Sequence, residues 1–181
     1  TLLDTLRTCP HVIFGGIFSH DGNSYGAADL PALLALSEGA QRRTLRFAAL
    51  AAAHGMPCRT VSYGATPTFM NRVPILPGIT ELRPGTYALM DASQGNAIGT
   101  LDRCAATVLA TVISKPTDTR TILDVGAKGL TMQSRTEGIC AVPGKGTLYD
   151  CPEVHIEKVF DEHAIILDRA FHDRVQIGQK V

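Results

Sequence analysis

The hydrophobic and polar positions divide the chain into two halves with different patterns. In the first half, short apolar runs alternate with one long helical pattern, which is typical of an α/β arrangement. In the second half, short β-branched segments are bounded by Gly, Pro, Asp or Asn, which is typical of an antiparallel β domain. The patterns predict an α/β domain over 1–91, a linker over 92–104 and a β domain over 105–181.

Three strands and one full helix are predicted in the α/β half. The predicted strands lie at 11–18, 58–63 and 80–91, and the predicted helix lies at 29–54 with an interruption near Gly39. A closed (β/α)8 barrel needs about 250 residues, so three strands are too few to close one. An independent three-stranded sheet would leave apolar faces uncovered. We therefore expect the chain to be part of a larger protein.

The β half contains several candidate strands. The apolar, β-branched run 105–115 predicts one strand. Further strands are predicted in the short segments TILDVG, GLTMQS, GICAVPG, HIEKVF, HAIILD and RVQIGQKV.

Composition and charge exclude several classes of protein. Hydrophobic residues make up 45% of the 181 residues and charged residues 19%, which is a globular mixture rather than a disordered one. Basic and acidic residues are equal at 17 each, so a generic nucleic-acid binder is not indicated. No apolar run approaches the roughly 20 residues that span a bilayer. The 5 cysteines are scattered without a C-x-x-C pair, which favours free thiols and a cytoplasmic location.

Three segments in the α/β half carry candidate chemistry. In TVSYGATPT, the turn at Gly64 would expose backbone N–H groups and the Thr66 hydroxyl to an anion. In ELRPGTY, Arg83 emerges at a strand end, where it could pair with an anionic or aromatic group. In GGIFSHDGNSY, His20 and Tyr25 follow the first strand. Each signal taken alone favours the ordinary explanation: a glycine turn, an exposed arginine and a surface loop.

Taken together, these segments carry a family resemblance. The segments GIFSHDGNSY, VSYGATPT, ELRPGTYALMD, TVLATVISKP and ILDVGAKGLT, followed by FDEHAIIL, resemble the D-serine dehydratase/D-threonine aldolase family. These enzymes use pyridoxal 5'-phosphate (PLP) and are related in fold to alanine racemase. The resemblance implies that residues 1–91 are the C-terminal portion of a PLP-binding TIM barrel. Residues 105–181 would then form an antiparallel β domain that is incomplete at its C-terminus.

The resemblance also implies a set of cofactor-binding residues. Gly64, Ala65 and Thr66 match the family's phosphate-binding Gly-Ser-Thr, although Ala65 lacks the usual serine hydroxyl. Arg83 matches an arginine beside the pyridine nitrogen, and the backbone that follows it matches one beside the phosphate. The full implied set is His20, Tyr25, Gly64, Ala65, Thr66, Arg83, Gly85 and Thr86.

Other functional groups are expected outside this chain. The resemblance places the lysine that bonds to PLP before Thr1 and the ligands of a divalent metal, zinc or manganese, after Val181. No lysine here matches the cofactor lysine, and Lys128 matches a lysine of the family's β domain, so the catalytic residues stay unassigned. Cysteines and histidines of the β half fit no metal template, which favours ordinary β-domain roles for Cys140, Cys151, His155 and His163.

The function implied is that of a PLP-dependent lyase for 3-hydroxy D-amino acids. Dehydration to a 2-oxo acid and ammonia is favoured by GNSY and the surroundings of Gln94. Alternatives are a D-threonine aldolase, a racemase of the same fold, a non-catalytic PLP-binding module and a β-rich interaction domain. The resemblance implies a homodimer at full length and an inactive fragment on its own. A small D-amino acid is the expected partner, rather than nucleic acid or membrane.

Overall fold

The computed structural model describes residues 1–181, which form two compact units, Thr1–Tyr87 and Ala88–Val181. The first unit contains a parallel sheet and the second an antiparallel sheet. The expected mixture of α/β and all-β structure is therefore present.

The first unit is built on three parallel strands in sequence order, β1-β2-β3. A short helix α1 (Leu2–Thr8) precedes the sheet. The other elements are β1 (Gly16–His20), a 3-10 helix (Gly22–Gly26), α2 (Leu30–Ala53), β2 (Thr60–Gly64), α3 (Thr66–Met70), β3 (Glu81–Leu82) and a second 3-10 helix (Thr86–Ala88). The neighbours pair in register, with Phe18 opposite Ser62 and Ser62 opposite Glu81.

Helix α2 is continuous through Gly39, contrary to the predicted interruption. Its N-terminus is capped by Asp29, whose side chain accepts a hydrogen bond from Ala32 N at 2.8 Å. Gln41 lies on the buried face and bonds to Pro74 O and Leu76 N, at 3.0 and 2.8 Å. This face has helical spacing and consists of Leu33, Ser37, Gln41, Thr44 and Ala51. Packing along it explains why a single glycine does not break the helix.

Two strand predictions in the first unit are wrong in extent. The run predicted at 11–18 is a strand only from Gly16, because its partner strand begins at Thr60. The strand predicted over 80–91 is confined to Glu81–Leu82. Pro84 has no N–H for a continuing ladder, and the chain turns into the 3-10 helix Thr86–Ala88.

The second unit begins with a helix where the sequence suggests a linker. Asp91 caps helix α4 (Ala92–Ile98) by accepting a hydrogen bond from Gln94 N at 2.8 Å. Gly99, in the left-handed conformation, ends it. The pattern Asp-x-x-Gln is the sequence signal that predicts this start. The domain boundaries assigned from sequence stay predictions.

An antiparallel sheet of order β4-β5-β7-β6 forms the rest of the second unit. Its strands are β4 (Val112–Ser114), β5 (Arg120–Leu123), β6 (Ile156–Val159) and β7 (Ala164–Leu167), followed by helix α5 (Arg169–Arg174). Four of the seven segments predicted as strands contain these strands. GLTMQS and GICAVPG do not, since their backbone forms turns, bends and irregular structure. RVQIGQKV contributes only an isolated bridge, between Lys180 and Thr111.

The core of the second unit depends on alternation along its strands. Ile166 is fully buried, whereas the adjacent Leu167 is 50% exposed. The buried cluster contains Val112, Leu123, Ile156, Val159, Ala164, Ile166 and Phe171. No helix in either unit is long and apolar enough to cross a membrane.

Two motifs that the family resemblance singled out meet in this unit. Gly126 packs against the turn between β6 and β7 so closely that a Cβ there would lie 2.3 Å from Asp161 O. Lys128 pairs with Glu162 across the same contact. His163 stacks on Phe160, with ring centroids 4.6 Å apart. The segments DVGAKG and FDEH are therefore in direct contact. The ion pair between Lys128 and Glu162 joins them.

The alternation on β7 predicts unequal effects of two neighbouring truncations. Ile166→Ala removes buried methyl groups and should lower the free energy of unfolding by about 2–5 kcal/mol. Leu167→Ala, the matched control on the exposed side, should lower it by about 1 kcal/mol or less. Urea denaturation of both variants measures the difference. Equal losses would contradict the assigned register.

Candidate functional site

The eight implied cofactor-binding residues all lie in the first unit, near the C-terminal ends of its strands. His20 ends β1, Gly64 ends β2, and Arg83 directly follows β3. The carboxyl ends of parallel strands meet at one edge of a sheet, which is where α/β proteins bind ligands. The spatial grouping predicted from sequence is therefore present, although the roles of these residues stay predictions.

The two faces of the sheet differ in chemistry. Ser19 and Tyr63 point toward α2, where Ser19 Oγ lies 2.8 Å from Thr44 Oγ1. The opposite face carries Phe18, Ser62 and Glu81, which are in register with one another. Phe18 is 75% exposed there. We call this opposite face, with His20 and Arg83 at its end, the open face.

Arg83 is held in place over the open face. Its Nε donates to Ser62 Oγ at 2.8 Å, and its Nη2 donates to Ser19 O at 2.7 Å. The guanidinium carbon lies 4.8 Å from the centre of the Phe18 ring, within cation–π range. The second terminal nitrogen, Nη1, is left to donate a hydrogen bond to an anion or to a ring nitrogen.

His20 is oriented by the backbone of the neighbouring strand. Its Nδ1 lies 3.2 Å from Gly64 O, and since a carbonyl only accepts, Nδ1 carries the proton of this bond. Because Nδ1 is used in this bond and His20 is exposed, Nε2 is the ring nitrogen that is left to contact a ligand. The Tyr25 ring, half-buried in the 3-10 helix, has its centroid 6.1 Å from that of His20.

The turn Gly64–Thr66 is buried, so the prediction that it exposes the Thr66 hydroxyl to an anion is wrong. Gly64 has φ +143°, and a Cβ there would lie 3.1 Å from Arg83 N, so glycine allows β2 and β3 to approach at this point. Thr66 Oγ1 accepts hydrogen bonds from Gly85 N and Thr86 N, at 3.1 and 3.0 Å. Thr66 thus fixes the turn that follows Arg83, and the amide groups of Gly85 and Thr86 are directed at Thr66. Ala65 is buried beside it.

A buried carboxylate that the sequence reasoning missed lies beneath this turn. Asp21 Oδ2 accepts hydrogen bonds from the hydroxyls of Tyr63, Thr68 and Ser37, at 2.5, 2.8 and 2.9 Å. All four side chains are buried. Burial, together with the Asp21 carboxylate, raises the pKa of the Tyr63 phenol well above its ordinary value, so Tyr63 stays a donor. The available signal was an acidic residue directly after the first predicted strand.

The donor set on the open face fits an anionic aromatic cofactor. His20, Arg83 and Gly85 are exposed, and Tyr25 and Thr86 are half-buried. A guanidinium with an unused nitrogen and an exposed imidazole are groups that bind phosphate esters. No group of three or more His, Cys, Asp or Glu side chains could hold a metal ion.

Comparison with known proteins shows similarity to one family model and to two enzymes. The model of a putative serine dehydratase domain matches residues 105–181. D-threo-3-hydroxyaspartate dehydratase of Delftia sp. (strain HT23) is 37% identical over 105 residues, covering 58% of this chain and 27% of that protein. D-threonine aldolase of Arthrobacter sp is 29% identical over 169 residues, covering 91% of this chain and 42% of that protein. The chain is thus similar to members of the D-serine dehydratase/D-threonine aldolase family.

Solved structures of similar proteins share the fold of this chain. The Delftia dehydratase superposes on 92% of this chain and 47% of its own, with a TM-score of 0.76 and 28% identity. An alanine racemase-like protein from Idiomarina loihiensis superposes on 99% of this chain and 50% of its own, with a TM-score of 0.75. At 24% identity, this second likeness concerns the fold alone. The chain spans half or less of the length of these relatives.

The Asp21 network predicts a large effect of one truncation on stability. Asp21→Ala would leave three buried hydroxyls without their common acceptor and should lower the free energy of unfolding by about 3 kcal/mol or more. Asp29→Ala, which removes the exposed N-cap of α2, is the control and should cost about 1 kcal/mol. Chemical denaturation compares the two variants. If Asp21→Ala lowers the free energy of unfolding no more than Asp29→Ala does, the network does not stabilise the fold.

Proposed function

We propose that the chain is part of a PLP-dependent lyase that acts on 3-hydroxy D-amino acids. The observation that carries this proposal is the clustering of His20, Arg83 and the Gly64–Thr66 turn at one sheet edge, in a chain similar to these enzymes. The two similar enzymes are named as a dehydratase and an aldolase, and both names specify a D-amino acid.

We propose further that the first unit is the last part of a (β/α)8 barrel. Its parallel strands follow sequence order and are linked by helices on one face, as in such barrels. Strand β1 pairs on one side only. The exposed Phe18 would then face the barrel interior, and the open face would be the cofactor side.

In this proposal, each residue of the open face has a definite task. Arg83 would hold the ring nitrogen of the cofactor, where a fixed cation would disfavour protonation of that nitrogen. His20 keeps Nε2 directed at the ligand, in a position to hold or exchange a proton. Gly64 and Thr66 fix the backbone beside the phosphate. PLP, when bound, supplies the electron sink for the pair released at the substrate's Cα.

Dehydration is the reaction that we favour. The Cα proton and the β-hydroxyl leave as water, and hydrolysis of the resulting enamine or imine gives a 2-oxo acid and ammonia. The support is that the relative of higher sequence identity is a dehydratase. Retro-aldol cleavage to glycine and an aldehyde is the second candidate, supported by the aldolase that matches more of the chain. Ligands for a divalent metal, a cytoplasmic location and a homodimer remain expectations for the full-length protein.

The cofactor assignment predicts loss of PLP from two variants of the full-length protein. Arg83→Ala removes the fixed guanidinium, and Gly64→Val places a side chain against Arg83 N at a positive φ. Both variants should retain less PLP after dialysis, measured by absorbance per protein. Arg46→Ala, on the exposed surface of α2, is the control and should retain as much as the wild type. Unchanged PLP content in both site variants would contradict the assignment.

The reaction assignment predicts products that can be told apart. The full-length protein loaded with PLP should convert D-serine, D-threonine or D-threo-3-hydroxyaspartate to a 2-oxo acid and ammonia in equal amounts. Coupled dehydrogenase assays measure both products. Glycine and an aldehyde would identify an aldolase instead, and inversion at Cα without cleavage would identify a racemase. Bound PLP without turnover of any of these substrates would favour a non-catalytic module.

A further inference from the structure

The open face contains a hydrogen-bonded chain of three side chains that ends at Arg83. Ser62 Oγ donates to Glu81 Oε1, and Arg83 Nε donates to Ser62 Oγ at 2.8 Å. Ser62 is buried, whereas Glu81 and Arg83 are exposed. The register of β2 and β3 produces this arrangement, because it places Ser62 directly opposite Glu81.

The direction of this chain is fixed by chemistry. Arg83 has donors only, and an ionised carboxylate has acceptors only. The single hydroxyl proton of Ser62 therefore goes to Glu81, which leaves the Ser62 oxygen as the acceptor for Arg83. Replacing the carboxylate would free the hydroxyl to rotate, and the Nε of Arg83 would lose a defined partner.

We propose that Glu81 is a positioning residue for Arg83, acting through Ser62. Glu81 holds the guanidinium over Phe18 and places a negative charge near it, so that Arg83 presents a damped positive charge to the bound cofactor. This inference rests on the proposed function, in which Arg83 lies beside the cofactor ring. Glu81 itself need not touch the cofactor.

A comparison with the other contacts of Arg83 supports this role. The bond from Nη2 to Ser19 O fixes one side of the guanidinium. Its acceptor is a backbone carbonyl, so a substitution at Ser19 does not remove it. The bond from Nε is the one that side chains control. Glu81 is exposed, and one hydrogen bond contributes little to stability, so the consequence of losing Glu81 should be seen in the site.

The test is a double-mutant cycle on PLP binding in the full-length protein. Glu81→Ala and Ser62→Ala should each weaken PLP binding roughly three- to tenfold, the range expected when one side-chain hydrogen bond is lost. In an Arg83→Ala background, Glu81→Ala should change the dissociation constant by about twofold or less, because its target is gone. Glu81→Gln keeps an acceptor oxygen but loses the charge, so it should retain PLP better than Glu81→Ala. It should still shift the absorption band of the bound cofactor.

The control is Glu38→Ala, which removes an exposed pair with Arg42 on α2 and should leave PLP binding unchanged. Effects of Glu81→Ala that add fully to those of Arg83→Ala would overturn the proposal, as would wild-type binding and spectra in all Glu81 and Ser62 variants. If Glu81→Ala does not fold, the comparison of Glu81→Gln with Ser62→Ala decides. Absence of PLP from the wild-type protein would instead refute the proposed function, so the two failures are distinguishable.

Discussion

The hydrogen bonds to Asp21 are the interaction on which the candidate site depends. One carboxylate oxygen joins three elements to the end of β1, since Ser37 belongs to α2, Tyr63 to β2 and Thr68 to α3. A buried carboxylate is tolerated only when its hydrogen bonds are satisfied, so these elements are held in one relative arrangement. His20 and the Gly64–Thr66 turn lie directly beside this network.

Strand β2 separates the structural and the chemical sides of the sheet. Tyr63 points to the helices and contributes to the buried network, whereas Ser62 points to the open face and contacts Glu81 and Arg83. The alternation of a strand thus assigns adjacent residues to two tasks. Thr66 adds a third connection by holding the turn that contains Gly85 and Thr86. The side chain of Arg83 is therefore held by Ser62, and the turn that follows Arg83 is held by Thr66.

Much of this organisation could be predicted from sequence, and the failures have physical causes. Helix α2 was predictable from its length, its cap at Asp29 and its helical spacing. Strand ends were less predictable, because they depend on the neighbouring strand. Strand β1 begins at Gly16, which pairs with Thr60, the first residue of β2. The contacts of Asp21 were not predictable, since Asp21, Ser37 and Thr68 are far apart in sequence and ordinary in composition. Family resemblance supplied the candidate residues of the site, but the two amide groups directed at Thr66 emerged only from the structure.

A crystal structure of the full-length protein with PLP bound would test the central claim most directly. The account predicts that the phosphate lies against the segment after Arg83, which Thr66 holds in place. It also predicts that the guanidinium of Arg83, still bonded to Ser62, lies beside the ring nitrogen. A cofactor bound away from the C-terminal ends of β1, β2 and β3, or an Arg83 directed into solvent with PLP in place, would contradict it.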